Sequence, residues 1–155
     1  MRIEGQRAGF CRPALCLIAA AAILCAAACY SSNYRKELSA NTDLISELAD
    51  KLADYCRAGF IIENRQVSSE EMGEFYYALK KARGLSATTT RDSARASYRD
   101  FDAMLDAYQS FVRNADEYRL AGARDPAKLA ALMQQHQAVA SAAAKVRADL
   151  AKENG

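Results

Sequence analysis

The spacing of apolar residues between residues 94 and 115 constrains the fold of this chain more than any other feature. Seven side chains follow one another there in alternating steps of four and three: Ala94, Tyr98, Phe101, Leu105, Tyr108, Val112 and Ala115. These steps keep the side chains on one stripe of an α-helix, which has about 3.6 residues per turn. The pattern predicts an amphipathic helix that begins near Thr89, with a capping signal completed by Asp92, and ends before Gly122.

Three further segments have the same kind of spacing. The first has its apolar series at Leu38, Ile45, Leu48, Leu52 and Tyr55. Gly59 and Phe60 end it, because glycine accepts a left-handed backbone and the following apolar residue can fold back. A capping box formed by Ser68 and Glu71 begins a shorter helix, with Met72, Phe75, Tyr76 and Leu79 as its apolar face. The sequence predicts that Gly84 ends this second helix. The acids at its start and Lys80, Lys81 and Arg83 at its end then match the helix dipole.

The last segment begins at Asp125 and Pro126, a typical N-cap followed by a proline in the first helical position. Its apolar series is Leu129, Leu132, His136, Val139, Ala143, Val146 and Leu150. The chain contains only 7 Gly and 2 Pro, which favours long helices over a sheet. We therefore expect an all-α fold, most simply an antiparallel four-helix bundle. Three long helices with one short helix are the alternative.

The first 28 residues have the composition of an export signal. Three arginines, Arg2, Arg7 and Arg12, precede an uncharged apolar run over 15–28, and polar residues follow from Ser31. A basic region, an apolar region and a small-residue region are the three parts of a secretory signal. The apolar run is shorter than the roughly 20 residues that a membrane-spanning helix needs.

The end of this run, Ala26-Ala27-Ala28-Cys29, resembles a bacterial lipobox. The resemblance implies cleavage before Cys29 and acylation of its thiol, with a signal peptide over 1–28, a lipidated cysteine and tether over 29–34 and a helical domain over 35–155. Tyr30 rather than Asp follows the cysteine, which by the same resemblance implies the outer membrane, facing the periplasm. Ala26 and Ala28 also fit ordinary signal peptidase, which would leave Cys29 free, and an uncleaved anchor is a third reading.

Catalytic and metal-binding patterns are weak in this sequence. His136 is the only histidine, and Met133 lies three residues before it, a pair of residue types that can hold haem in a four-helix bundle. One histidine cannot supply both axial ligands, however, and the chain has no C-x-x-C-H attachment motif. We expect His136 to form a hydrogen bond across the bundle instead. Cys56 lies near the end of a helix, where nothing lowers the pKa of a thiol, and we expect it in the core. The sequence thus predicts a protein that is not an enzyme and has no cofactor or metal.

Six basic residues lie close together in the sequence and form the candidate site for an anionic partner: Lys80, Lys81, Arg83, Arg91, Arg95 and Arg99. Arg91, Arg95 and Arg99 would stack at the start of the third helix, the end at which the helix dipole disfavours cations. Phospholipid headgroups, lipopolysaccharide phosphates or an acidic protein surface would offset that cost. The alternative is a solvated face in which Asp102 pairs with Arg99.

These observations predict a non-enzymatic lipoprotein of the bacterial cell envelope that acts by contact with a protein or a surface. A helical bundle that binds haem, lipid or metal is the alternative. Beyond Arg12 the chain has 18 basic and 18 acidic residues, and this neutrality gives no reason to expect nucleic acid as a partner.

Overall fold

The computed structural model describes the backbone of residues 12–88 and 95–153, and the side chains of residues 33–86 and 95–153. The elements in chain order are α1 (Arg12–Arg57), β1 (Ile61–Ile62), β2 (Arg65–Gln66), α2 (Ser69–Thr88), α3 (Ala96–Leu120) and α4 (Pro126–Lys152). The chain divides into two compact units, Met1–Arg35 and Lys36–Gly155. The predicted all-α class is confirmed, with one short β-hairpin in the described part of the chain.

The first unit contains the predicted signal segment. Its backbone is helical from Arg12, so the predicted tether 29–34 lies within α1. The sequence contains no glycine or proline from Ala14 to Ala58 that would interrupt a helix there. The side chain of Cys29 lies outside the described residues, and its lipidation stays a prediction. Within the backbone that is described, no helix is long and apolar enough to cross a membrane.

The second unit is an antiparallel four-helix bundle. Hydrogen bonds between α2 and α3 show that the two helices run in opposite directions. The pairs, in order along α2, are Ser69 with Arg119, Phe75 with Tyr108, Arg83 with Asp102 and Ser86 with Tyr98. Helices α3 and α4 are also antiparallel, since Ser97 binds Glu153 and Asn114 binds Gln135. Helices α1 and α4 are antiparallel as well, since Asp43 binds Arg147 and Asp50 binds His136. Helix α2 has 20 residues and α3 has 25, so α2 is not markedly shorter than its neighbour. The predicted four-helix bundle is therefore confirmed, rather than the alternative of three long helices with one short helix.

The core contains the side chains that the apolar spacing predicted. On α3, five residues of the predicted series are fully buried: Phe101, Leu105, Tyr108, Val112 and Ala115. On α4, five of the predicted series are buried: Leu132, Val139, Ala143, Val146 and Leu150. Leu129 and His136 are half-buried at the edge of the core, and Ala94 lies outside the described residues.

Two helices end as the sequence predicts, at Gly59 and at Gly122. Both glycines have a positive φ, +62° and +85°. The amide of the next residue returns to a carbonyl five residues earlier, Phe60 to Tyr55 at 2.8 Å and Ala123 to Tyr118 at 2.9 Å. At each helix end, this hydrogen bond uses a carbonyl that the last helical turn leaves without a partner.

Two predicted helix starts are also confirmed. At α2, the Ser68 amide donates to Glu71 Oε2 at 2.8 Å, and the Glu71 amide donates to Ser68 Oγ at 3.1 Å. The Arg65 guanidinium donates two hydrogen bonds to the same carboxylate, and the pKa of Glu71 falls to about 2 because of these bonds and the Ser68 amide. At α4, Asp125 Oδ1 accepts from the amides of Ala127 and Lys128.

Two predicted boundaries are wrong. Helix α2 continues through Gly84 to Thr88, so Lys80, Lys81 and Arg83 do not lie in its last turn. Helix α3 begins at Ala96 rather than near Thr89, which lies with Asp92 outside the described residues. Hydrogen bonds from distant residues account for both differences. Beyond Gly84, the Ser86 carbonyl accepts from the Tyr98 hydroxyl on α3. At the start of α3, the Glu153 carboxylate on α4 accepts from the Ser97 amide and hydroxyl.

The sequence analysis did not predict the β-hairpin. Strands β1 and β2 are antiparallel, with Ile62 opposite Arg65. Glu63 and Asn64 connect them, both with a positive φ of 49° and 63°. Two left-handed residues of this kind form the turn that matches the twist of a hairpin, and asparagine tolerates that conformation well.

Replacing Gly84 with alanine is expected to raise the free energy of unfolding by about 0.5–1 kcal/mol. Gly84 lies inside α2, and a Cβ atom there would meet no atom within 4 Å. Gly122→Ala is the matched control and should lower stability, because φ at Gly122 is +85°. Urea denaturation of the full chain in a mild detergent measures both. Destabilisation by Gly84→Ala would mean that the helix ends there after all.

Candidate interaction surfaces

The three predicted patch residues on α2 lie in two different environments. Lys80 and Lys81 are exposed on α2. Arg83 is half-buried between α2 and α3, where its guanidinium donates to Asp102 Oδ1 at 2.7 Å and also contacts the carboxylate of Asp106. Asp102 therefore pairs with Arg83, and the pairing of Asp102 with Arg99 considered from the sequence is wrong. Arg83 belongs to the interface between two helices.

Of the three arginines predicted to stack on α3, Arg99 lies within the described helix. Arg95 is the N-cap of α3, with extended backbone (φ −73°, ψ 146°), and Arg91 lies outside the described residues. Arg99 is exposed in the first turns of the helix. The Glu153 carboxylate binds Ser97 Oγ at 2.9 Å and so places a negative charge at this helix start. That charge offsets the unfavourable position of Arg95 and Arg99 next to the helix dipole.

His136 forms the hydrogen bond across the bundle that the sequence predicts. Its Nε2 lies 2.6 Å from Asp50 Oδ1 on α1, and its ring packs at 6.0 Å from the ring of Phe111. A small cleft of about 200 Å³ adjoins this pair, and Arg147 on its wall is bound to Asp43 and Ser46. The polar groups of the cleft thus bind one another across the α1–α4 interface.

Cys56 is in the core, as the sequence predicts. Its side chain is fully buried, and burial raises the pKa of its thiol to about 12. At neutral pH the thiol is therefore protonated and is a poor nucleophile.

Tyr76, Tyr77, Tyr98, Tyr108 and Tyr118 fall at or beside the apolar stripes of their helices, which predicts core residues with the hydroxyl at the water boundary. Burial is correct for Tyr108 and Tyr118, whose hydroxyls donate to the carbonyls of Phe75 and Ala123. It is wrong for Tyr77, whose side chain is 70% exposed on α2, and Tyr76 is 40% exposed. Tyr76 falls at the edge of the apolar face, and Tyr77 falls on the side that faces solvent.

Tyr77 lies on a continuous exposed stripe, which we call the α2 outer face. Its seven residues are all exposed and recur once or twice in each turn: Glu70, Gly73, Glu74, Tyr77, Lys80, Lys81 and Gly84. The sequence analysis missed this face because it attributed the acids and bases of α2 to the helix dipole. The spacing of the charged residues could have revealed the face, because it places both the acids and the bases on the side of α2 opposite the buried Met72 and Phe75.

Two other clefts lie toward the end of the bundle at which α3 turns into α4. One of about 220 Å³ lies between Asn114, Leu132 and Gln135, and the Asn114 amide donates to Gln135 Oε1 at 3.1 Å. The other, about 420 Å³, lies between the hairpin and the turn at Gly122. Among the residues whose side chains are described, no three His, Cys, Asp or Glu groups could together hold a metal ion.

The chain was compared with known protein families, curated proteins and solved structures, and none of them matches it.

Proposed function

We propose that this chain is a non-enzymatic lipoprotein of the bacterial cell envelope, whose helical unit acts by contact with another protein or a surface. The observation that carries the proposal is the position of Cys29. It follows Ala26-Ala27-Ala28 directly, after an uncharged apolar run and a basic N-terminus. A cysteine at the point of cleavage is what lipid modification requires and what ordinary secretion does not.

The lipid would fix where the helical unit works. Each CH₂ group buried in a bilayer contributes about 0.8 kcal/mol, so several acyl chains on one cysteine make a stable anchor. With Tyr30 after the cysteine, we place the anchor in the outer membrane on the periplasmic side. Lys36 is seven positions beyond Cys29, a span of at most about 25 Å when fully extended. The bundle would therefore act close to the membrane surface.

The chemistry of the helical unit favours contact over catalysis. The histidine and the aspartate nearest to it are bound to each other across two helices. The one thiol of this unit is buried and protonated. By contrast, Lys80, Lys81 and Arg99 are exposed and form no ion pair with another described residue. These three cations remain the candidate surface for an anionic partner.

The mass of the mature N-terminus tests the proposal. The full-length gene is expressed in a bacterial host, and the N-terminal peptide of the membrane-bound product is analysed by mass spectrometry. We expect a peptide that begins at Cys29 and carries acyl groups. An unmodified Cys29 terminus would indicate plain secretion, and an intact Met1 terminus would indicate an uncleaved anchor. Either result would overturn the lipoprotein assignment.

A further inference from the structure

The α2 outer face has opposite charges in its two halves. Its acids, Glu70 and Glu74, lie in the N-terminal half, and its bases, Lys80 and Lys81, lie in the C-terminal half. Tyr77 lies between them with 70% of its side chain exposed. The face has little involvement in the chain's own fold: Glu74 pairs at 3.0 Å with Lys51, half-exposed at the edge, and Lys80 and Lys81 pair with no described residue.

The positions are symmetric about Tyr77. Glu74 and Lys80 are each three residues from it, Gly73 and Lys81 are each four residues away, and Glu70 and Gly84 are each seven away. Suppose that two α2 helices cross antiparallel on a two-fold axis through Tyr77. Each residue then lies close to the level of its counterpart on the other helix. Because an α-helix turns about 100° per residue, Glu74 and Lys81 lie on the same side of Tyr77, and Glu74 of one copy meets Lys81 of the other. A two-fold interface requires this kind of self-complementarity.

The residues along the face also allow a second helix to approach closely. Gly73 and Gly84 have open space above them, and a Cβ atom at either would meet no atom of the chain within 4 Å. Glycine is less favourable than alanine in a helix interior, and no described residue packs close to either glycine. Opposite a second helix, Gly73 leaves room for the long Lys80 side chain, and both glycines let the backbones approach. The two Tyr77 rings would meet at the centre, where burial of aromatic surface contributes most.

From this arrangement we propose that the α2 outer face is a self-association surface, through which two copies of this chain pair with their α2 helices antiparallel. The anionic partner of Lys80 and Lys81 is then the acidic half of a second copy. The inference rests on the proposed contact function but not on the lipid anchor, since the charges and Tyr77 are the same in either case. Where both copies are held on one membrane, their effective concentration rises and the pair is more populated.

The pair is weak in dilute solution. The face is 15 residues long, which is about 22 Å of helix. One contact of that length falls below the roughly 1,200 Å² that stable interfaces bury. The association also depends on charge, and it weakens as salt is added.

Charge reversal in two complementary variants tests the surface. One variant carries Lys80→Glu and Lys81→Glu, and the other carries Glu70→Lys and Glu74→Lys. Each makes the face uniform in charge, so each alone is expected to self-associate about tenfold or more weakly than the wild type, because like charges then meet. An equimolar mixture of the two restores the opposite charges and is expected to recover association close to the wild-type level. The measurement is sedimentation equilibrium of the full chain at low salt in a density-matched detergent.

Matched controls separate the surface from the fold. Circular dichroism of both variants should match that of the wild type, because all four positions are exposed. Glu74→Gln removes the ion pair with Lys51 without reversing a charge, and it should weaken association less than Glu70→Lys with Glu74→Lys does. Tyr77→Cys should form a disulfide-linked pair under mild oxidation, beyond the background of the native cysteines in the wild type. Ala103→Cys, exposed on α3, should not.

Three outcomes would overturn the inference: a monomeric wild type at all accessible concentrations, variants that associate like the wild type, or a mixture that associates no better than its components. If the wild type is monomeric and binds vesicles of anionic lipid through Lys80 and Lys81, the partner is a membrane surface and the self-association surface is wrong. Failure of the lipid anchor is detected separately, by the mass of the N-terminal peptide.

Discussion

Replacing Phe101 with alanine is expected to lower the free energy of unfolding by about 3–5 kcal/mol. The Phe101 ring is fully buried in the core between the helices. Its loss removes apolar burial and leaves a cavity that neighbouring side chains fill only in part. The free energy of unfolding of small domains is roughly 5–15 kcal/mol, so the expected loss is a large fraction of the total stability. Urea denaturation of the full chain in a mild detergent, followed by circular dichroism, measures the loss.

Two companion variants make the test specific. Leu105→Ala, one turn further along α3 and also fully buried, should cost about 2–5 kcal/mol. Arg99→Ala lies on the same helix at an exposed position and should change stability by only about 0.5 kcal/mol. Equal losses at all three positions would show that the apolar face of α3 has been assigned wrongly.

Replacing Cys29 with serine is expected to move nearly all of the protein out of the mature, membrane-bound fraction. Acylation attaches lipid to the thiol, and a hydroxyl does not replace it. The variant should either leave the membrane or accumulate as an unprocessed precursor. Fractionation of cells into soluble and membrane parts, followed by immunoblotting, measures both outcomes.

Cys25→Ser is the control for the Cys29 experiment, because it changes a cysteine of the same apolar segment that is not at the cleavage point. It should be processed and fractionated like the wild type. If Cys29→Ser were instead processed to mature size and stayed with the membrane like the wild type, the anchor would have to be something other than lipid on this cysteine.

The sequence predicted well what depends on local patterns. Apolar spacing identified the buried face of α3, and local chemistry identified the stops at Gly59 and Gly122 and the start at Ser68. In each of these cases the deciding interactions lie within a few residues. The register of apolar residues also fixes which face of a helix can be buried, whatever its neighbours are.

The sequence failed where residues far apart in the chain decide the outcome. The start of α3 depends on Glu153, 56 residues away from Ser97. Arg83 could be assigned to a patch or to an interface only once Asp102 and Asp106 were known to lie beside it. Gly84 was taken for a helix end because glycine is a common stop, yet its cost inside a helix is small enough for the rest of α2 to overcome.

The α2 outer face was missed for a different reason. The helix dipole is a sufficient explanation for acids near the start of α2 and bases further along it, so these charges alone do not indicate a single face. Only the exposure of Tyr77 made the face stand out.

The buried position of Cys56 makes this residue a built-in reporter of opening. A protonated thiol without access to solvent does not react with maleimides or exchange with disulfides. It becomes reactive only while the helices around it are apart, so its rate of labelling counts those events under native conditions. It is the one cysteine in the unit Lys36–Gly155, so the mass of a single peptide follows the reaction. The opening of the bundle can thus be followed under native conditions, with no denaturant and no substitution in the chain.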